Sequence, residues 1–264
     1  MNLRNWLFPS LAAFAASVLV MPVCAQTTSA FLRTTCVKVN PGAAAEFEKL
    51  QADAIQKLAQ YRIKQGAMLR YALSRAVLPA GEQAECDYLV SFTYAGFPPE
   101  LTPESTAKNM KAAGVTMPYE AYTAKARSLA KTVTTRIVRV TASAGGARVG
   151  HYIHVNRMKI KNAQGWMKLE TELWKPVQEA RVADGQLSGW VSYTLVLPSG
   201  SSQPFQAVTV DGFPSWDAQG TQKPLSAYVK KAHPNMTMQQ FNEAGSTARD
   251  LLTREVYKIV LEAR

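Results

Sequence analysis

The sequence predicts an α+β fold built from two tandem copies of a ferredoxin-like βαββαβ unit, and three observations carry that reading. A block recurs: Arg62, Gly66, Leu78 and Gly81 each stand 119 residues before Arg181, Gly185, Leu197 and Gly200. Apolar spacing switches between strand-like and helix-like periods in the same order in both copies. The strands are apolar on both sides, as Met68 to Leu78 and Leu187 to Leu197 show, so both faces of each sheet must be covered.

Taken in order, the 264-residue chain opens with Arg4, an apolar run from Leu11 to Val20, and Val23-Cys24-Ala25 before Gln26. That is the layout of a secretory leader with a small-residue cleavage site. Residues 1–25 are predicted to be a signal peptide, and the mature protein a periplasmic or secreted one. No segment reaches the roughly 20 apolar residues of a membrane span.

The first copy, residues 26–145, begins with a strand over 31–39, stopped by Asn40-Pro41-Gly42. Phe47, Leu50, Ala54, Leu58 and Tyr61 then recur at helical spacing. Gly66 is placed to cap that helix, with Arg62 and Lys64 in its last turn where the dipole favours cations. Strands follow over 68–78 and 86–94 about the Pro79-Ala80-Gly81 turn, then a helix from Pro103 to Gly114, a longer helix from Pro118, and a strand over 136–140. Ser143-Ala144-Gly145-Gly146 reads as a linker.

The second copy, residues 146–264, repeats the pattern. It has a strand over 152–160, a helix with Trp166, Leu169, Leu173, Val177 and Ala180 on one face, strands over 187–197 and 206–210, a helix with the capping-box spacing Thr237 to Gln240, and a last strand over 256–261. Pro176 stands where the first copy has Lys57, which predicts a kink.

One face of each sheet lies on its own helices, so the other is expected to meet the second sheet. This element order, repeat length and two-faced strand pattern resemble the dimeric α+β barrel superfamily. The resemblance implies two four-stranded antiparallel sheets forming a pseudo-dimeric barrel, in a group that includes cofactor-independent monooxygenases, polyketide cyclases, haem-handling enzymes and binding proteins. Fold alone does not choose among them.

The formal net charge is +11, and residues 26–145 and 146–264 carry +6 and +4 of it. A shared excess without a basic run points to solvation and to contact with anionic envelope components, not to nucleic acid. Cys36 and Cys86 fall on adjacent strands and are placed to form a disulfide in an oxidising compartment. The positions that match them in the second copy are Arg157 and Phe205, so such a bridge is not part of the repeated design.

The first strand of each copy carries the candidate site. Arg33 and Thr35 share one face, as do His154 and Asn156. If those faces line the barrel, the four converge with Tyr71 and Trp190 as aromatic walls. His154 then serves as catalytic acid or base and Arg33 holds a carboxylate; the alternative is that His154 and Asn156 satisfy each other or the backbone. The first expectation is an exported protein binding a small, partly apolar, anionic ligand. Its alternatives are a cofactor-independent oxygenase or isomerase-like enzyme using the same cavity, and a structural envelope protein without a ligand.

No cofactor or metal is predicted. His151 and His154 point to opposite faces of their strand, and there is no glycine-rich phosphate loop or haem-attachment motif. Asp211 before Gly212 reads as a turn residue. Edge strands left unpaired by the two sheets offer a route to a homodimer.

Overall fold

The computed structural model describes residues 30–264, so the predicted signal peptide lies outside the described residues. The first half runs β1 (Phe31–Val39), α1 (Ala44–Leu50), a π-helical segment (Gln51–Gln56), α2 (Lys57–Lys64), β2 (Arg70–Leu78), β3 (Tyr88–Tyr94), α3 (Pro103–Ala112), α4 (Tyr119–Leu129) and β4 (Ala130–Gly145). The second half repeats it: β5 (Tyr152–Ile160), α5 (Ala163–Lys168), a π-helical segment (Leu169–Trp174), α6 (Lys175–Ala183), β6 (Gly189–Leu197), β7 (Ala207–Phe213), α7 (Leu225–Ala232), α8 (Met238–Ala248) and β8 (Arg249–Ala263). The first residues of β2, β3 and β4 precede those of β6, β7 and β8 by 119.

All neighbouring strands are antiparallel, and the order β1-β3-β2-β8-β5-β7-β6-β4 closes into a barrel where β4 pairs with β1. Each half keeps the ferredoxin-like strand order, fourth, first, third, second. Two seams, β2 with β8 and β4 with β6, join the halves. The expectation of two separate four-stranded sheets is therefore corrected to one continuous sheet of eight strands.

The physical reason is the length of β4 and β8, 16 and 15 residues, where sequence periodicity predicts much shorter strands. β4 pairs with β1 over Ala130–Arg139 and with β6 over Ile137–Gly145, so one strand serves both halves. Its opening residues Lys131, Thr132 and Val133 are exposed and lack the apolar alternation that marks a half-buried strand. Ser143 to Gly145, predicted as linker, belong to β4, and the connection between halves is 146–151. Every strand has two neighbours, so the expected edge-to-edge homodimer has no open strand among the described residues.

The helices cover the outside of the barrel. Phe47, Leu50, Ile55 and Ala59 pack on Tyr71, Leu73, Tyr88 and Val90 of the first half. Gly66 and Gly185 end α2 and α6 at φ +69° and +71°, where any side chain would be strained. The π-helical segments occupy matching places, and the first half has one without a proline. Pro176 is thus not the cause of the departure from α geometry; it closely follows the π-helical segment within a helical run that continues from Ala163 to Ala183. Cys36 and Cys86 are bridged, with Cα atoms 5.1 Å apart.

Candidate functional site

Two cavities of about 360 Å³ each lie within the molecule, a size suited to small ligands. The first is the barrel interior. β1 turns Leu32 and Thr34 into it, and β5 turns Ile153, Val155 and Arg157 into it. The opposite face of each strand carries Arg33 and Thr35, and His154 and Asn156, so none of these four lines the barrel.

The period-two grouping holds, but these faces point away from the barrel. Ile153 and Val155 face it instead, and because the barrel wall and the helix-covered core are both apolar, hydrophobicity cannot tell one face from the other. Tyr71 is likewise on the outer side, wholly buried in the helix-covered core, with its hydroxyl donating to Gln51 Oε1 at 3.3 Å. Thr35 meets Thr135 Oγ1 at 3.1 Å. Trp190 alone of the predicted residues borders the barrel cavity, and it borders the second cavity as well.

His154 lines neither cavity. Its Nε2 lies 2.6 Å from Gln219 Oε1, so that nitrogen carries the proton and donates, and the ring packs on Phe213 at 4.5 Å. Burial holds the imidazole below its ordinary pKa, with the Gln219 bond and Asp211 opposing. A donor already engaged in this way suits a structural role.

The second cavity lies between the outer face of the second half's strands and its helices. Asn156, Trp190, Asp211, Arg249 and Arg254 come from the sheet, and Glu170, Trp174, Gln178 and Arg181 from the covering helix. Met158, Leu225 and Leu251 add apolar wall. A continuous network crosses it. Arg254 Nε donates to Asn156 Oδ1 at 2.6 Å, and Asn156 Nδ2 donates to Asp211 Oδ2 at 2.8 Å. Gln178 Nε2 donates to the other Asp211 oxygen at 3.3 Å, and Arg181 donates to Gln178 Oε1 at 3.0 Å. Asn156, predicted as a ligand residue, thus belongs to a polar site in a different cavity, and Asp211 is a strand residue whose carboxylate is held on both oxygens, not a turn residue.

Glu170 is the exceptional member. It sits in the π-helical segment with no exposed surface, and neither carboxyl oxygen has a hydrogen-bond partner. Arg249 Nε is 3.5 Å from Oε1, close enough for charge attraction but not a hydrogen bond. Burial pushes the carboxyl up to about 8, with the nearby Arg249 guanidinium and Ser192 hydroxyl opposing the shift and Asp211 adding to it. Burial likewise lowers the Arg249 and Arg181 guanidinium pKa values. Buried polar atoms are normally satisfied, so orphaned ones facing a cavity point to a missing partner.

The first half shows what this place looks like without a site. At the 119-residue offset, Glu170 matches Gln51, whose amide meets the hydroxyls of Tyr71 and Tyr122. Trp190 and Phe241 stand at the positions of those tyrosines, so the hydroxyls that satisfy Gln51 are gone around Glu170. Asp211 matches Phe92, and Arg249 matches Ala130, both packed in the first half's core. Asp211 and Arg249 of the second half thus have apolar counterparts in the first.

No histidine lines either cavity, so neither offers an imidazole for axial haem ligation, and His233 Nε2 is 2.9 Å from the Leu173 carbonyl. Among the described residues, Cys36, Glu85 and Cys86 form the one cluster with metal-like spacing, and its two sulfurs are bonded to each other.

No protein-family model and no curated protein matches the chain. Solved structures share its fold at low identity. A candidate monooxygenase of Lactobacillus acidophilus superposes with TM-score 0.54 at 8% identity, over 89% of this chain and 96% of that one. A candidate monooxygenase of Fusobacterium nucleatum gives 0.53 at 9% identity, over 89% and 94%. An anthrone oxidase-like protein gives 0.51 at 12% identity, over 90% and 94%. The chain is similar to these proteins in fold, nearly end to end.

Proposed function

We propose that this protein is a small-molecule enzyme that enolises a partly apolar, anionic carbonyl compound in the helix-covered cavity of its second half, with isomerase-like or cofactor-independent oxygenase-like chemistry. The observation that carries the reading is Glu170, an unpartnered buried carboxyl that stays protonated at neutral pH in the same cavity as the carboxylate of Asp211. Glu170 offers a proton donor, and Asp211, whose two oxygens accept hydrogen bonds from Asn156 and Gln178, offers the acceptor of an acid and base pair.

Asp211 takes a proton from a carbon adjacent to, or conjugated with, the substrate carbonyl, and the electron pair of that C–H bond moves into an enolate. Glu170 donates a hydrogen bond to the enolate oxygen. Returning the proton to another carbon completes an isomerisation. With O2 as oxidant, the same enolate is oxygenated, as when anthrone and O2 become anthraquinone and water. Arg181, Arg249 and Arg254 give the wall a positive charge suited to an anionic substituent, and Trp174 and Trp190 offer stacking surfaces. The names of the structural neighbours favour the oxygenase-like branch.

We also read the chain as the single-chain counterpart of a dimeric α+β barrel, divided at 145/146, and as an exported protein. The export reading rests on residues 1–25 and is supported by the Cys36–Cys86 bridge, since disulfides persist in oxidising compartments.

The test is hydrogen–deuterium exchange and O2 uptake with a panel of enolisable, partly apolar carbonyl compounds, anthrone among them. Catalysed exchange should occur and should fall about 100-fold in Asp211→Asn without loss of the folded state. Absence of exchange across the panel, or an undiminished rate in Asp211→Asn, would overturn the reading.

A further inference from the structure

The barrel cavity is separate from the proposed catalytic site, and its chemistry is different. Its wall is mostly hydrocarbon, from Leu32, Leu89, Val138, Val155, Val210 and residues like them. The charged side chains that line it are all cationic: Arg70, Arg136 and Arg157. Their acidic partners Glu85, Glu255 and Glu262 stand behind them and do not face the space. The enclosed surface is thus apolar with a positive bias.

Tyr193 supplies the polar anchor. β6 turns it inward between Val140 of β4 and Val208 of β7, and it borders the cavity. Burial raises its phenol to about 12, with Arg70 opposing, so it remains a neutral donor beside a guanidinium. Its hydroxyl has no hydrogen-bond partner among the described residues, whereas the hydroxyls of Thr34 and Ser91, also facing the cavity, bond to each other at 3.1 Å. Arg70 donates through Nε to Glu262 at 2.9 Å and through one terminal nitrogen to the Ala147 carbonyl at 2.7 Å. Its other terminal nitrogen has no partner among the described residues.

The end of β4 and the start of the connection between the halves line part of the cavity. Gly145, Gly146 and Ala147 border the space and press on the glycines of β6 and β7. A Cβ at Gly189 would lie 2.5 Å from the Gly146 nitrogen, and one at Gly212 would lie 2.9 Å from Ala147 Cβ. Arg70, the guanidinium beside Tyr193, ties this connection down through the Ala147 carbonyl.

We propose that the barrel interior is a second binding site, selective for a monocarboxylate with a hydrocarbon body, its carboxylate accepting hydrogen bonds from Tyr193 and Arg70 near residues 145–147. The hydrocarbon body fills the apolar barrel, where removing each methylene from water favours the complex. The lack of any acidic group on the wall favours the anion over a neutral analogue of the same length.

The test is calorimetric titration of the folded mature protein with decanoate, with 1-decanol as the uncharged control. Decanoate should bind more tightly than decanol. Tyr193→Phe, which keeps the ring, should weaken decanoate about tenfold and leave decanol unchanged. Val191→Phe, which places a larger ring on the same inward face, should abolish both while melting remains cooperative. Glu170→Gln should leave decanoate binding intact, which separates this site from the catalytic one. Failure of the wild type to bind decanoate, equal affinity of wild type and Tyr193→Phe, or retained binding in a folded Val191→Phe protein would each overturn the proposal.

Discussion

Replacing Glu170 with Gln should flatten the dependence of stability on pH, and the effect is large enough to isolate. The ordinary carboxyl value of 4.5 applies to the unfolded chain, whereas burial raises Glu170 to about 8 in the fold. Between those values the folded protein holds a proton that the unfolded chain has released. Stability therefore falls as pH rises through this window, the opposite of the usual salt-bridged carboxylate. With these two values, the Glu170 share of the loss between pH 5 and 8 comes to about 3 to 4 kcal/mol. Gln keeps the shape and cannot ionise, so the variant lacks this share, and other titrating groups cancel when the two proteins are compared. Urea unfolding of both at unit steps of pH reads the difference directly. The wild-type and Glu170→Gln curves should diverge with rising pH, the variant becoming the more stable of the two relative to their offset at pH 5. Parallel curves would refute the buried, protonated carboxyl and with it the acid in the proposed reaction.

Gly189→Ala places a Cβ 2.5 Å from the Gly146 nitrogen, where backbone must move; thermal unfolding should show a loss of about 1 to 3 kcal/mol, and an unchanged melting temperature would show that the connection yields freely. The Cys36–Cys86 bridge closes a loop with a sequence separation of 50. On the chain-entropy account its reduction should remove about 4 kcal/mol, measured by denaturant unfolding with and without reductant, and thiol titration of the mature protein should find no free sulfhydryl before reduction. The catalytic reading is tested independently by exchange in Asp211→Asn, and the barrel site by decanoate binding to Tyr193→Phe.

The duplication was legible because it is written in residues with strict backbone demands. Gly66 and Gly185 hold the same left-handed turn, and their spacing survives where side chains have diverged. Strand extent was less legible: the exposed opening of β4 alternates nothing apolar, and its identity comes from pairing with β1 and β6. The inward face of each strand was hidden for a different reason. Both faces are buried by apolar neighbours, so period two groups His154 with Asn156 but says nothing about which way the group points. The second-half cavity carried a readable signal that strand-by-strand analysis passed over. Aligning the halves sets Asp211 against Phe92 and Arg249 against Ala130, ionisable residues at positions that the fold fills with hydrocarbon. Tyr193 had no such signal, because a tyrosine in an apolar strand looks like core until the space before its hydroxyl is seen.

The two-sided pairing of β8 sets a direction on how this chain can be assembled. β8 closes one seam between the halves with β2 and pairs on its other side with β5 of its own half, and the contact between Tyr71 and Ala263 spans most of the sequence. Synthesis therefore delivers every other strand before the one that completes the ring. Until the final 15-residue strand emerges, β2 carries an unpaired edge, a template for intermolecular pairing, and the barrel has no enclosed interior. Long-range closure of this kind is slow compared with hairpin formation. A nascent chain thus stays open until β8 has been made, with the edge of β2 unpaired for that time. Loss of even the last strand would leave an open, sticky sheet in place of a smaller working protein.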